Sequence, residues 1–240
     1  IFTVTGLFSA RLQQDNLVLQ AIAAFRAVIG PVPALSVTLH KAIPVAAGLG
    51  GGSADAAAIL RLLARQHGLA PMAPPIQAIA AKLGADIPVC LESRCRYMSG
   101  TGATLEPEEG GFAGQPVLLV NPGVAVPTGA VFAAFAREKR AAKDAPAAAS
   151  LAQTVVAGSN DLQTAAVAVA PEIAPVLTAL AGLPGAVGAR LSGSGASCFA
   201  LFESALARDR AAEQFRQAFP DSWMHAGMLR NWDMDGLFVR

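Results

Sequence analysis

Gly48-Leu49-Gly50-Gly51-Gly52-Ser53 stands directly ahead of an alanine-rich run, with Asp55 two positions further on. Glycine lets the backbone approach a ligand closely and adopt positive φ. A helix starting just after such a loop aims its unpaired N–H groups and the positive end of its dipole back at it. The chemistry this suits is anion binding. One helix dipole contributes only about 0.3–2 kcal/mol to a bound anion, so several N–H bonds must share the task. The same residues also make a plain strand-to-helix turn with Ser53 as helix cap, and the stretch by itself supports both readings. Two nucleotide fingerprints fail here. A Walker loop needs Gly-Lys-Ser/Thr, yet no lysine occurs between Lys41 and Lys82, and a dinucleotide GxGxxG from Gly48 would need glycine where Ser53 stands.

Elsewhere the reactive residue types are sparse. Asp86 lies in "LGADIPV", where Ile87 precedes Pro88 and is biased to extended backbone; locally it reads as a turn residue between a helix and a strand. Cys90, Cys95 and Cys198 sit in apolar surroundings and read as buried, reduced thiols of a cytoplasmic protein. His40, His67 and His225 have no Cys or carboxylate at ligand spacing, so no metal ligands are assigned. The net charge of +1 is spread without a basic stripe, which argues against a nucleic-acid partner. The most apolar region, 164–191, is broken by Pro171, Glu172, Pro175 and Pro184, so no membrane span is expected. The opening residues lack the basic-then-apolar layout of a secretory signal.

The elements that must position these residues follow from periodicity. Apolar spacing predicts a helix over 15–29 with Asp15 or Asn16 as cap, then a half-buried strand through Leu35, Val37 and Leu39. A helix through Ala56, Ile59, Leu60 and Leu63 follows the glycines, and another spans 74–83 with Gly84 ending it. Strands are expected at 87–91 and 117–120, the latter running into an "NPG" turn. The stretch 106–116 is the expected domain boundary, giving domains at 1–113 and 114–240, and 137–150 reads as a solvated helix end and loop. Beyond it come helices near 161–169 and 171–180, a glycine turn between strands over 186–202, a helix over 204–219 and closing strands. Helices and strands interleave without βαβ spacing, so the fold class is α+β. With 53% hydrophobic residues in 240, a sizeable core is available.

"KAIPVAAGLGGGSADAAAIL" resembles the second motif of the GHMP kinase family. "QDNLVLQA" (14–21), "LGADIPVCL" (83–91), "LVNPGVAVPTGAVF" (119–132), "SNDL" (159–162) and "RLSGSGASCFALF" (190–202) are similar to further segments of that family in the same order. The long GLGGGS run and Asp55-Ala56-Ala57 are nearest to the branch acting on 4-diphosphocytidyl-2-C-methyl-D-erythritol; homoserine or mevalonate kinases, or a non-catalytic ATP-binding remnant, are the alternatives. The resemblance implies a GHMP kinase fold, with an ATP lobe like ribosomal protein S5 domain 2 and a ferredoxin-like C-terminal lobe. It implies ATP, delivered with Mg²⁺, as phosphoryl donor and the 2-hydroxyl of that cytidyl ester as small-molecule acceptor. Asp86 then becomes the catalytic base. Gly48, Leu49, Gly50, Gly51, Gly52 and Ser53 hold the triphosphate, and Asn16 and Lys41 lie near the adenine. Asp55 is either a favourable charge at the helix start or a metal contact.

Pro127, Thr128 and Phe132 match the cytidine-holding region by the same resemblance, an aromatic face being suited to stack on a pyrimidine. On its own spacing, Phe132 beside Val131 and Phe135 reads as core. Gly193, Ser194 and Gly195 form a tight turn that either approaches the acceptor or only shapes the fold. The family's opening Lys-x-Asn strand and the Asp-Gly-Tyr-His segment have no counterpart: Tyr97 is the sole tyrosine and no lysine precedes Lys41. The expectation is a copy lacking its first strands. Ala54 also replaces a serine more usual in that branch.

Overall fold

A computed structural model of the chain describes residues 1–11, 16–100, 102, 104–107, 114–137 and 158–230. These residues divide into two units, one from 1–45 with 50–107 and one from 46–49 with 114–230, so the chain passes between them within the glycine run.

In the first unit, β1 (Phe2–Thr5) and β2 (Val37–His40) pair in parallel, Phe2 opposite Val37 and Thr5 opposite His40. Helix α1 (Leu17–Val28) opens on Asn16, whose Oδ1 accepts from the N–H of Val18 and Leu19. Helices α2 (Gly51–Gln66), α3 (Pro74–Leu83) and α4 (Ile87–Glu92) follow, then a hairpin of β3 (Arg96–Ser99) and β4 (Thr104–Pro107). Phe25, Leu60, Leu63, Ile76, Ile79, Ile87 and Leu91 are fully buried and belong to one core.

Two expectations are corrected here. Residues 87–91 form a helix, not a strand. Ile87 and Leu91, four apart, bury together, and Pro88 lies in the first turn, where a helix needs no N–H; packing overrides the pre-proline bias. Asp86 therefore sits between two helices. Helix α2 also begins inside the glycine run. Gly50 takes the cap position at φ 66°, with no side-chain cap, and Ser53 lies within the first turn.

In the second unit, β5 (Pro116–Asn121), β6 (Ala186–Leu191), β7 (Cys198–Phe202) and β8 (Trp223–Met228) form an antiparallel sheet in the order β6-β7-β5-β8. Helices α5 (Thr128–Arg137), α6 (Gln163–Val169), α7 (Ile173–Ala181) and α8 (Ala205–Ala218) accompany it. Their core is built on Leu118, Val120, Ile173, Leu180, Phe202 and Phe215. Burial drives the Cys198 thiol up to about 12, so it packs as a neutral apolar group. The loop expected after Arg137 and most of the 106–116 boundary lie outside the described residues.

Candidate active site

The first turn of α2 is a cradle of bare backbone. The first helical bond runs from the Ala54 N–H to the Gly50 carbonyl at 2.9 Å, which leaves the N–H groups of Gly51, Gly52 and Ser53 ahead of the ladder. Among the described residues they have no partner. A methyl group on Gly50 would meet nothing within 4 Å, and one on Gly52 only Leu17 Cδ1 at 3.5 Å. Among the described residues, only side-chain ends, and no backbone of another element, come within 4 Å of these positions.

Lys41 reaches this turn from the end of β2. Its residue is 7% exposed, and its Nζ lies 3.8 Å from where a Gly51 Cβ would stand. Nζ donates to Asp55 Oδ2 at 2.8 Å, leaving two ammonium protons without a partner among the described residues. Asp55 is thus the counter-ion of Lys41, a role the sequence did not suggest. Gly6 makes this possible. At φ 95° it packs so closely that a Cβ would stand 2.7 Å from the Lys41 carbonyl, and the Lys41 N–H donates to the Thr5 carbonyl at 2.8 Å. Asn16 belongs to the same neighbourhood, since the side chain of its successor Leu17 lies 3.5 Å from where a Gly52 Cβ would stand. Its Oδ1 is used in capping. An apolar cleft of about 250 Å³, lined by Val18, Val37, Leu39, Ala58 and Ile59, opens beside Asp55.

Asp86 is exposed at the start of α4, with a carboxylate that no described donor occupies. It lies one turn before Cys90, whose thiol is raised by burial and, secondarily, by the Asp86 charge. Arg61 of α2 holds the other end of this short helix, its Nη1 donating to the Cys90 carbonyl at 2.7 Å and the Leu91 carbonyl at 3.4 Å.

The second unit gathers a different set. The turn between β6 and β7 carries Gly193 at φ 53° and Gly195 at φ 87°. Asn160 Nδ2 donates to the carbonyls of Leu191 at 3.0 Å and Gly193 at 2.7 Å, while its Oδ1 accepts from the Leu162 N–H. Ser192 Oγ donates to the Gly48 carbonyl at 2.8 Å, and the Ser197 N–H donates to the Ala47 carbonyl at 3.1 Å. A Cβ on Gly48 would stand 2.5 Å from the Ser192 oxygen. Because C=O and N–H point opposite ways across a planar peptide, these two bonds turn the N–H groups of Gly48 and Leu49 away from the 192–197 turn. Buried Ser194 meets Thr128 hydroxyl to hydroxyl at 3.2 Å, bringing together two residues from separate expectations.

Phe132 is 53% exposed, which corrects its reading as core. Val131 is the buried residue of this turn, and Phe132 lies on the helix face of Thr128, four positions on. Asn160, Gly6 and Ser192 were missed as positioning residues. Asn160 and Ser192 left a signal, as polar residues inside the quoted "SNDL" and "RLSGSGASCFALF" segments.

The family described as GHMP kinases N terminal domain matches residues 16–94, and GHMP kinases C terminal matches 145–221. The chain is 47% identical over 220 residues to 4-diphosphocytidyl-2-C-methyl-D-erythritol kinase of Rhizorhabdus wittichii, covering 90% of this chain and 73% of that one. It is 45% identical to the protein of the same name from Cereibacter sphaeroides, covering 94% and 81%. A crystal structure of 4-(cytidine 5'-diphospho)-2C-methyl-D-erythritol kinase aligns at a TM-score of 0.75 and 31% identity, over 93% of this chain and 81% of that one. A homoserine kinase from Cytophaga hutchinsonii aligns at 0.70 with 20% identity, over 96% and 82%, a likeness of fold alone.

Proposed function

This chain belongs to the GHMP kinase family, and from that premise we propose that it transfers the γ-phosphoryl group of ATP to the 2-hydroxyl of 4-diphosphocytidyl-2-C-methyl-D-erythritol, in the non-mevalonate route to isoprenoid precursors. The observation that carries the reading is the start of α2, where three N–H groups without a partner among the described residues lie beside the nearly buried Lys41 ammonium. Preorganised donors of this kind answer charge on phosphate oxygens without reorganising during the reaction. The homoserine and mevalonate alternatives have no comparable support, since relatives at 44–47% identity carry the cytidyl-methylerythritol kinase name.

Each residue then has a task. Gly48, Leu49, Gly50, Gly51, Gly52 and Ser53 hold the triphosphate oxygens through backbone N–H groups. Lys41 adds a positive charge next to Gly51, and Asn16, with the apolar cleft beside Asp55, suits the adenine. Asp86 orients the acceptor hydroxyl and accepts its proton as the oxygen bonds to the γ-phosphorus and the bond to the β-phosphate oxygen breaks, releasing ADP. Mg²⁺ carried by the nucleotide supplies charge neutralisation at the phosphates; Asp55, paired with Lys41, is committed elsewhere. In the second unit, Pro127, Thr128 and the exposed Phe132 ring take the cytidine, and Gly193, Ser194 and Gly195 face the acceptor. We divide the chain into a nucleotide lobe, 1–113, and a C-terminal lobe, 114–240.

The test is phosphate transfer from ATP to 4-diphosphocytidyl-2-C-methyl-D-erythritol, with Asp86→Asn alongside. Product from the parent chain and a loss of roughly 10²–10⁴-fold in the variant is the expected result. A variant as fast as the parent removes Asp86 as base, and homoserine or mevalonate accepted in preference to the cytidyl ester overturns the substrate.

A further inference from the structure

Helix α4 has only six residues and no side-chain cap at Asp86. A helix this short is not stable by itself. Its fully buried Ile87 and Leu91 press it onto the core, but apolar contacts alone resist rotation and sliding weakly, being non-directional. The Arg96 guanidinium of β3 binds the Glu92 carboxylate at the end of α4 and the Ile87 N–H donates to the Gly84 carbonyl, but the directional contact that ties α4 to α2 is the one from Arg61, whose Nη1 binds the carbonyls of Cys90 and Leu91 at the helix's C-terminal end. There the last carbonyls lack helical partners, and a cation also meets the negative end of the dipole.

This arginine is an unusual residue for its place. Its guanidinium is partly desolvated, and its Nε is buried without a partner among the described residues. An unsatisfied buried donor is unfavourable, so an aliphatic side chain would be the simpler filling between α2 and α4. What an aliphatic side chain cannot do is bind two particular carbonyls. Arg61 projects from α2 ten residues after Gly51, on the order of 15 Å along the axis. One helix thus presents the N–H cradle at its start and grips α4 further along.

We propose that Arg61 is a positioning residue for Asp86: it fixes the register of α4 on α2, so that the carboxylate opening α4 and the N–H groups opening α2 are held by the same rigid helix. This rests on the reading of Asp86 as base. Losing the grip lets α4 shift while the cradle stays intact, and small misplacements of a reacting group reduce rate steeply.

The experiment uses the full chain with Arg61→Ala, Arg61→Lys, Asp86→Asn and Phe25→Leu, the last a core change in α1 that lowers stability away from both sites. In Arg61→Ala, kcat falls about tenfold while KM for ATP stays within about twofold. Arg61→Lys, or guanidinium ion added to the alanine variant, restores part of the rate. Phe25→Leu loses melting temperature yet keeps kcat at a temperature where it is folded. Amide exchange in Arg61→Ala speeds up over Cys90–Ser93 and not along α2. A normal kcat in Arg61→Ala, unchanged exchange in α4, or kcat and KM worsening together as melting temperature falls would each overturn the assignment. Asp86→Asn at full rate removes the base reading and this inference with it. An inactive Asp86→Asn beside an unaffected Arg61→Ala removes this inference alone.

Discussion

Two glycine-rich turns in this chain have nearly the same composition and opposite bonding. At the start of α2, a Cβ on Gly50 would meet nothing within 4 Å and one on Gly51 or Gly52 only the end of a side chain, and three backbone N–H groups have no partner among the described residues. Between β6 and β7, the glycines press against backbone. Gly193 would place a Cβ 3.2 Å from the Gly48 carbonyl oxygen, and that turn is tied by Asn160, Ser192 and Ser197. Around the second turn the protein fills the space beside the glycines, and around the first, among the described residues, it does not. Glycine content therefore identifies neither turn as a binding site; the fate of the N–H groups does.

Gly48, which packs on the second turn, gives the sharpest way to break this comparison. Alanine there would clash with the oxygens of Ser192 and Gly195, at 2.5 and 2.7 Å, and would sit at φ 73°. Gly48→Ala should lose on the order of 3 kcal/mol of stability in a urea melt; a melt like the parent's would mean the close packing is not required. Next comes Asn160→Ala, which leaves the carbonyls of Leu191 and Gly193 and the Leu162 N–H without their partner. A loss of about 1–3 kcal/mol is expected in the same melt, with KM for ATP unchanged if the cradle is independent of this turn.

Gly52→Ala should behave in the reverse way. The added methyl meets only Leu17 at 3.5 Å, and replacing glycine by alanine within a helix stabilises by about 0.5–1 kcal/mol. The variant should melt no lower than the parent; with the phosphates seated as proposed, the methyl should make ATP bind about tenfold more weakly, equivalent to about 1.4 kcal/mol. Unchanged ATP affinity by calorimetry would remove the distinction drawn between the two turns.

Where the sequence was legible, a strong local period coincided with burial. The α2 stripe of Ala56, Ile59, Leu60 and Leu63 and the 74–83 helix belong to that class, and of the two cap candidates, Asp15 and Asn16, it is Asn16 that caps α1. The failures share another cause. Residues 87–91 carry a strand-like composition but fold as α4, where Ile87 and Leu91, four apart, are both fully buried in the first unit's core; so short a segment fits a strand period and a helix period alike. The Lys41–Asp55 pair joins residues 14 apart, and Asn160 acts on a turn 31 to 33 residues away. Such roles depend on which elements pack together. Spacing alone put Phe132 in the core, against the ligand role that the resemblance implied, for a related reason: its neighbours Val131 and Phe135 are the ones turned inward, and an apolar triplet alone does not reveal which member faces out.

The smallest predicted effect asks whether the second turn is scaffold throughout or also touches a ligand. Thr128 and Ser194 share one hydroxyl contact of 3.2 Å, with Ser194 buried and Thr128 exposed. Thr128→Val keeps the shape and removes the hydroxyl. Water can reach the exposed side, so stability should fall by less than about 1 kcal/mol. If Thr128 and the exposed Phe132, one helical turn apart on α5, form a platform for the cytosine, the valine variant should raise KM for the cytidyl ester about threefold, since a lost neutral hydrogen bond is worth about 0.5–1.5 kcal/mol, and leave KM for ATP alone. Phe132→Leu should act in the same direction through lost stacking. If neither variant moves the acceptor KM, the contact between Thr128 and Ser194 only ties α5 to the turn, and the second glycine turn has no open face for a ligand.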